Sequence, residues 1–284
     1  MIPAAFDYVR ATSLAHAIGL LQDDPDGNKL LAGGHSLIPA LKLRLASPER
    51  LIDIRGLSEL KGITLGERIR IGALTTHAEL LANDALHDVA PIFREAAGLI
   101  ADPQVRNRGT IGGALANADP AADWPAVVLA LGATLEVVGP NGPSRVAARN
   151  FFVDIMTTAL AADEILLAVE FDRPQPGTRF RYRKIRHPAS GYAVVGVAVA
   201  LRLANDAVAE TTIAITGATG HAFVATEAAT HLIGAPLSEA TIAAAANAAS
   251  EQAECLSDGY APAAYRQHLI KTEVARALVS LSEG

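Results

Sequence analysis

The stretch LLAGGHSLIP, residues 30–39, places two adjacent glycines directly after a run of apolar residues. A second stretch, NRGTIGG at residues 107–113, holds another glycine pair. Glycine has no Cβ, so backbone N–H groups around it can come close to an anion, and the hydroxyls of Ser36 and Thr110 add donors. Either pair alone is typical of a tight turn. Together these two glycine segments predict a clamp on the pyrophosphate of a dinucleotide, with Asp123 nearby to accept from ribose hydroxyls.

Outward from the first glycine segment, apolar periodicity predicts an N-terminal domain, residues 1–177, in two parts. The first part, residues 1–55, alternates strands with one helix. Its strands are expected at 6–10, 29–32 and 50–54, and its helix at 13–22. In the second part, residues 56–177, a hairpin around Gly66 precedes helices and two further strands. The helices are expected at 76–83, 89–100 and 125–131, and the strands at 133–138 and 165–171. Residues 101–113 are predicted to form a polar, glycine-rich loop.

The sequence RPQPG, residues 173–177, is the best candidate for a linker, because proline and glycine interrupt regular structure. Beyond it, residues 178–284 are predicted to form a separate domain of strands followed by helices. The strands are expected at 179–186, 192–203 and 209–216, and the helices at 226–233, 238–253 and 261–281. The pattern as a whole predicts an α+β fold.

Composition excludes several classes of function. The 284 residues include 24 basic and 30 acidic side chains, for a net charge of −6. With no lysine- or arginine-rich block, no nucleic-acid partner is predicted. The single cysteine, Cys255, can neither form an internal disulfide nor ligate an iron–sulfur cluster alone, and it indicates a reducing, intracellular setting. No signal peptide is recognisable, and the uncharged stretch 188–201 is too short to span a membrane.

Familiar catalytic motifs are missing from the sequence. It contains no G-x-G-x-x-G fingerprint, no P-loop lysine, no H-E-x-x-H pair and no G-x-S-x-G elbow. The sequence therefore predicts neither a catalytic residue nor a set of metal ligands on this chain.

The two glycine segments, together with LIDI at residues 51–54 and DPAAD at residues 119–123, resemble the FAD-binding medium subunits of the molybdenum hydroxylase family. That family includes xanthine dehydrogenase and aerobic carbon monoxide dehydrogenase, and the likeness is closest to the carbon monoxide dehydrogenase medium chains. It extends over essentially the whole chain. The resemblance implies a two-part FAD-binding domain of the PCMH or vanillyl-alcohol-oxidase-like type. It also implies a C-terminal α+β domain, with a three-stranded antiparallel sheet and helices, that covers the flavin.

The resemblance further implies which residues contact FAD. The residues of the two glycine segments that match the family's pyrophosphate loops are Ala32, Gly33, Gly34, His35, Ser36 and Leu37, then Thr110, Gly112, Gly113 and the following Ala114. Asp123 corresponds to an acid that contacts the adenosine ribose, and Ile165 and Leu166 to an apolar contact near the flavin. Lys184 corresponds to a lysine beside the isoalloxazine, where a positive charge favours the reduced state. Tyr192 corresponds to an aromatic residue that shields one face of the ring.

Simpler roles stay open for several residues. His35 is expected to make a phosphate or loop hydrogen bond and no covalent flavin bond, because the basic lead-in typical of covalent flavoproteins is missing. A solvated strand face is the alternative for Lys184, and ordinary core packing is the alternative for Tyr192. Asp119 is expected to cap a helix, with a cofactor contact as the alternative, and Trp124 is expected to pack within a helix.

The resemblance implies an electron-transfer role within a larger complex. A large partner subunit would hold the molybdenum cofactor and a small partner subunit two [2Fe–2S] clusters, in a dimer of heterotrimers. Non-covalent FAD on this chain would serve a quinone, NAD or oxygen as acceptor, in the cytoplasm or at the inner face of the membrane. Ser190 and Gly191 stand where the carbon monoxide dehydrogenase pattern has Gly-Asp, which weakens carbon monoxide as the substrate. Two alternatives stay open: an independent FAD-dependent oxidoreductase and a non-enzymatic nucleotide-binding module.

Overall fold

The first part of the chain is a small parallel sheet with two helices. The computed structural model describes residues 2–282, and Met1, Glu283 and Gly284, at the outer ends of the predicted domains, lie outside the described residues. The three strands pair in the order β1-β3-β2, and both pairs are parallel. The elements are β1 (Asp7–Arg10), α1 (Leu14–Asp23), β2 (Asn28–Leu31), α2 (Leu37–Leu43) and β3 (Arg50–Asp53).

The second part combines a five-stranded antiparallel sheet with a group of short helices. The sheet has the order β4-β5-β10-β6-β7, and a separate hairpin joins β8 to β9. The strands are β4 (Ile63–Leu65), β5 (Arg68–Gly72), β6 (Thr134–Gly139), β7 (Gly142–Ala147), β8 (Phe152–Asp154), β9 (Thr157–Thr158) and β10 (Ile165–Asp172). The helices are α3 (His77–Ala82), α4 (Asp84–Val89), α5 (Ile92–Leu99), α6 (Pro103–Arg106), α7 (Ile111–Asn117) and α8 (Trp124–Ala130).

The C-terminal part is an antiparallel sheet with three helices, in the order β11-β12-β13-β14. The three predicted strands are joined by a fourth of two residues. The elements are β11 (Thr178–Arg186), β12 (Ala193–Ala204), β13 (Ala207–Thr216), β14 (Phe223–Val224), α9 (Thr226–Thr230), α10 (Glu239–Gln252) and α11 (Ala263–Ser282). Within residues 2–282, no helix has both the length and the apolar character that crossing a membrane requires.

Each predicted strand corresponds to an observed strand, but two short helices interrupt the predicted loop at 101–113. Asp102 caps α6 by accepting the N–H of Val105 at 2.9 Å. Thr110 caps α7 by accepting the N–H of Gly113 at 3.2 Å, so the second glycine pair lies in the first turn of a helix. Local capping by short polar side chains therefore outweighs the low helix propensity of glycine here.

The C-terminal sheet has two differently built faces. Phe180, Tyr182 and Ala198 point into the core of the N-terminal domain. Val197 and Ile213 point the other way, into a core shared with α10 and α11. Side chains alternate across a strand, so β12 presents small residues on one face and valines on the other. The small residues let the sheet pack closely against the first domain.

Two glycines, Gly33 and Gly112, lie at close contacts between separate segments of the chain. A Cβ on Gly33 would collide with the carbonyl oxygen of Arg108, so the first glycine segment touches the second directly. A Cβ on Gly112 would collide with the Ala73 side chain and lie 2.7 Å from the Ala73 Cα. These two glycines are required by contacts within the protein, whatever the ligand.

A pair of helical glycines tests this packing. Gly112→Ala should lower the free energy of unfolding by about 1–3 kcal/mol, because the added methyl overpacks the contact with Ala73. Gly19→Ala is the matched control, since no atom lies within 4 Å of its added Cβ in α1. It should raise the free energy of unfolding by about 0.5–1 kcal/mol through helix propensity. Urea denaturation measures both free energies of unfolding. An equal increase in the free energy of unfolding from the two substitutions would contradict the packing assignment.

Candidate cofactor-binding cleft

A cavity of about 540 Å³ opens between both parts of the N-terminal domain and the C-terminal sheet. All the residues that the sequence assigns to a cofactor line its wall. They are Ala32, Gly33, Gly34, His35, Ser36, Leu37, Thr110, Gly112, Gly113, Ala114, Asp123, Ile165, Leu166, Lys184 and Tyr192. The fold thus brings these residues together from distant points in the sequence, and what they bind stays a prediction.

The first glycine segment carries a row of unused backbone donors. None of the N–H groups of residues 32–37 has a hydrogen-bond partner within the described part of the chain. Gly34 has a φ of +79°, the left-handed conformation that helps successive N–H groups form a concave anion site. The side chain of His35 stays local, with its Nδ1 3.3 Å from the carbonyl oxygen of Gly33. This segment therefore offers donors to a ligand.

Three N–H groups of the second glycine segment, those of residues 111–113, are already used within the protein. The Ile111 N–H donates to the Thr75 carbonyl at 3.0 Å, and the Gly112 N–H donates to the Ala73 carbonyl at 2.9 Å. The Gly113 N–H donates to the Thr110 hydroxyl oxygen at 3.2 Å. The expectation of an anion clamp through backbone N–H groups is therefore wrong for residues 111–113, whereas the Thr110 N–H has no partner in the described part of the chain.

The turn at residues 119–123 is held by the C-terminal sheet. The Thr216 hydroxyl lies 2.8 Å from the carbonyl oxygens of both Pro120 and Ala122. The Asp119 carboxylate accepts the N–H of Ala121 at 2.9 Å, within its own turn. The prediction that Asp119 caps a helix is therefore wrong, because the turn's own N–H is the nearer donor.

Asp123 ends this turn in a buried ion pair. Its carboxylate accepts from Lys184 Nζ at 2.9 Å and from the Tyr182 hydroxyl at 2.6 Å. The side chains are almost covered, with 6% of Asp123 and 1% of Lys184 exposed. The solvated-face alternative for Lys184 is therefore wrong. Because the carboxylate neutralises the ammonium, a neighbouring group experiences the field of a dipole and not of a lone positive charge.

Burial dominates the electrostatics of this cluster. It raises the pKa of Asp123, although the ammonium and the Tyr182 hydroxyl hold that pKa down in part. Burial and the adjacent carboxylate raise the pKa of Tyr182 well above its usual range. The sequence analysis did not identify Tyr182, although it precedes Lys184 by two positions and so projects from the same face of β11.

Tyr192 stands at the mouth of the cleft and is 41% exposed, so the core-packing alternative is wrong. A tight turn leads into it: the Gly191 N–H donates to the His187 carbonyl, and the His187 N–H donates to the Tyr192 carbonyl, each at 2.8 Å. Partial burial and the Asp119 carboxylate raise the pKa of the Tyr192 hydroxyl, while a hydrogen-bond interaction with Ser36 acts against that shift. The phenol therefore extends toward the first glycine segment.

His77 is a cleft residue that the sequence analysis missed. Its side chain is 5% exposed, and its Nδ1 accepts the indole N–H of Trp124 at 3.0 Å. Trp124 itself is buried against Phe93, as predicted for helix packing. Burial first, and then the positive charges of His35 and Arg106, lower the pKa of His77 to about 4. The imidazole is therefore neutral at physiological pH, with its proton on Nε2.

Breaking the buried ion pair should be costly. Lys184→Met leaves the Asp123 carboxylate buried without a cation, which should lower the free energy of unfolding by about 3–5 kcal/mol. Adding Asp123→Asn removes the stranded charge and should restore much of the loss. Arg202→Met, which breaks an ion pair with the largely exposed Glu210, is the control and should change stability little. Additive losses in the double variant would contradict the pairing.

The lowered pKa of His77 predicts a specific acid sensitivity. In the unfolded chain this imidazole takes up a proton near pH 6.5, whereas the folded protein resists protonation until about pH 4. Folding stability from this group is therefore complete above pH 6.5 and is lost as the pH falls toward 4, by about 3 kcal/mol at most. His77→Asn should abolish that component. Urea denaturation of the native chain and the His77→Asn variant at pH 7 and pH 4.5 measures this component. Equal losses of unfolding free energy in the two proteins would exclude His77 as its source.

Two family descriptions together span almost the whole chain. Residues 4–174 match the family described as FAD binding domain in molybdopterin dehydrogenase. Residues 180–281 match the family described as CO dehydrogenase flavoprotein C-terminal domain.

Individual proteins of known activity are similar over their full length. The carbon monoxide dehydrogenase medium chain of Afipia carboxidovorans is 39% identical over 98% of this chain and 97% of its own. The glyceraldehyde dehydrogenase medium chain of Sulfolobus acidocaldarius is 37% identical, covering 98% of both chains. The structure of carbon monoxide dehydrogenase from Hydrogenophaga pseudoflava superposes with a TM-score of 0.96 at 38% identity, over 99% of this chain and 98% of that one. The chain therefore belongs to the family of FAD-binding medium subunits of molybdenum hydroxylases, of the carbon monoxide dehydrogenase type.

Proposed function

We propose that this chain is the FAD-binding electron-transfer subunit of a heterotrimeric molybdenum hydroxylase. Its partners would be a large subunit with the molybdenum cofactor and a small subunit with two [2Fe–2S] clusters, arranged as a dimer of heterotrimers. The chain would relay electrons from the small subunit to a quinone, NAD or oxygen, in the cytoplasm or at the inner face of the membrane. Its similarity to proteins named as medium chains supports such an assembly.

The observation that carries the FAD assignment is the row of unpaired N–H groups at residues 32–37. Backbone donors that a ligand shields from water must be paired, because an unpaired one loses its hydrogen bond to water. The pyrophosphate of a dinucleotide presents several anionic oxygens at the spacing of neighbouring residues. Hydrogen bonds from neutral donors to such charged groups contribute about 1.5–3 kcal/mol each. The first glycine segment therefore suits the pyrophosphate of FAD.

The rest of the cleft suits the two ends of FAD. The volume of about 540 Å³ lies within the usual range for ligand pockets of roughly 300–1,000 Å³. Ile165 and Leu166, at the start of β10, give an apolar wall beside the ring system. Asp123 keeps acceptor capacity for a ribose hydroxyl, since a carboxylate offers about four lone-pair sites and its protein partners leave some of them open.

The chain's own residues bind FAD, orient it and shield it from water. The first glycine segment holds the pyrophosphate, the ion pair of Asp123 and Lys184 fixes the polar wall, and Tyr192 covers one face of the ring and excludes water from it. FAD, when bound, supplies reversible uptake and release of electrons. An electron relay needs no side chain to abstract a substrate proton, which agrees with a cleft whose buried carboxylate is already paired.

Flavin binding gives the direct test. The purified chain should carry an equimolar amount of FAD, and acid precipitation should release it into the supernatant. After the flavin is stripped, the protein should bind FAD about 100-fold or more tightly than riboflavin, because riboflavin lacks the pyrophosphate that pairs the N–H groups. Inorganic pyrophosphate should compete with FAD. Equal affinity for FAD and riboflavin would contradict the anion site, and flavin retained in the washed precipitate would contradict non-covalent binding.

The same preparation separates the alternative functions. Purified at native abundance from its own organism, the chain should emerge with a molybdenum-containing subunit and an iron–sulfur subunit. Steady-state turnover of a substrate by the isolated chain would favour an independent oxidoreductase. A colourless protein that cannot be reconstituted with flavin would favour a nucleotide-binding module without redox function.

A further inference from the structure

The opposite wall of the pyrophosphate site offers fewer backbone donors than its sequence suggests. The N–H groups of Ile111, Gly112 and Gly113 are all bonded within the protein. The Thr110 N–H has no partner in the described part of the chain, and Thr110 lines the cavity. Any further donor on this wall comes from a side chain.

His77 is the side chain placed to supply that donor. It begins α3, and its backbone N–H donates to the Gly109 carbonyl at 3.0 Å, which ties it to the second glycine segment. A Cβ on Gly109 would lie 2.7 Å from His77 Nε2, and a Cβ on Gly33 would lie 2.9 Å from the Gly109 Cα. Nε2 therefore lies beside Gly109, the residue that follows Arg108, and the Arg108 carbonyl is where the two glycine segments meet.

The tautomer of this imidazole is set by its neighbour. Trp124 can only donate through its indole nitrogen, so His77 Nδ1 must accept, and the ring proton is on Nε2. Nε2 has no hydrogen-bond partner in the part of the chain that the structure describes, although the side chain lines the cavity and is 5% exposed. The unpaired Nε2–H is therefore accessible from the cavity, where an oxygen of a ligand can accept from it.

We propose that His77 Nε2–H donates a hydrogen bond to an oxygen of the pyrophosphate, and so adds a side-chain donor to the second side of the clamp. This proposal rests on the proposed FAD binding and adds a contact that the sequence motifs did not contain. Its role is to orient the cofactor. The neutral ring acts as a directional donor and not as a counter-charge, which limits its effect to ligands that reach this point of the cleft.

Two substitutions separate a cofactor contact from a structural role. His77→Asn keeps a polar atom near the position of Nδ1, to accept from Trp124, but removes the donor at Nε2. His77→Gln keeps a donor near the position of Nε2 but loses the acceptor for Trp124. The stripped full chain is titrated with FAD by flavin fluorescence, and with riboflavin as the ligand without phosphate.

The proposal requires a specific order of affinities. His77→Asn should weaken FAD binding about tenfold and riboflavin binding hardly at all, whereas His77→Gln should stay within about twofold of the native chain for both. If His77 only supports Trp124, the Gln variant should be the weaker binder, which would overturn the proposal. Native affinity in the Asn variant would also overturn it. Failure of the native chain to bind FAD at all would instead refute the proposed function.

The native chain provides a measurement that does not depend on variant folding. Addition of FAD or of inorganic pyrophosphate should move the proton resonance of His77 Nε2–H downfield and slow its exchange with water. Riboflavin should leave both unchanged. An Nε2 proton that is insensitive to FAD would contradict the contact.

Discussion

The direct contact between Gly33 and the Arg108 carbonyl determines how the cleft is built. With no side chain between them, the backbones of the two glycine segments are in direct contact. The N–H groups of each segment then need hydrogen-bond acceptors, either in the protein or in a ligand. The second segment directs its N–H groups inward, to the carbonyls of Ala73 and Thr75, and becomes rigid support. The first segment leaves its N–H groups unpaired at the cavity. Gly33 and Gly112 thus both serve packing, and the two segments differ in whether their N–H groups are bonded within the protein, although they look alike in the sequence.

The C-terminal sheet then holds the turn at residues 119–123 and the strand that follows Tyr192. Thr216 holds the turn at residues 119–123 by two carbonyl oxygens, and the Gly217 N–H donates to the Pro120 carbonyl at 2.7 Å. Arg266, which is buried, donates to the carbonyls of Val194 and Gly217 at 2.7 and 2.6 Å. The strand that follows Tyr192 is therefore fixed to α11 and to the turn that carries Asp123.

Sequence reasoning succeeded where the signal was local and failed where it depended on partners far apart in the chain. The strands and the glycine segments follow from apolar periodicity and residue type within a few positions. Lys184 lies 61 residues from Asp123, so neither its burial nor its neutralised charge could be deduced from the pattern of β11. His77 lies 47 residues from Trp124 and has no motif around it. The use of the Ile111 and Gly112 N–H groups also needed the fold, because their acceptors precede them by more than thirty residues.

The charged residues of β11 join parts of the structure that are far apart in the sequence. Arg181 pairs with Glu95 of α5, Arg183 with Glu273 of α11, and Lys184 with Asp123, so consecutive parts of one strand join three elements. These ion pairs contribute to the placement of β11 against α5, α11 and the turn that carries Asp123. Relatives of nearly equal identity are named for carbon monoxide and for glyceraldehyde. The similarity of this chain to both relatives therefore does not depend on the substrate for which each is named.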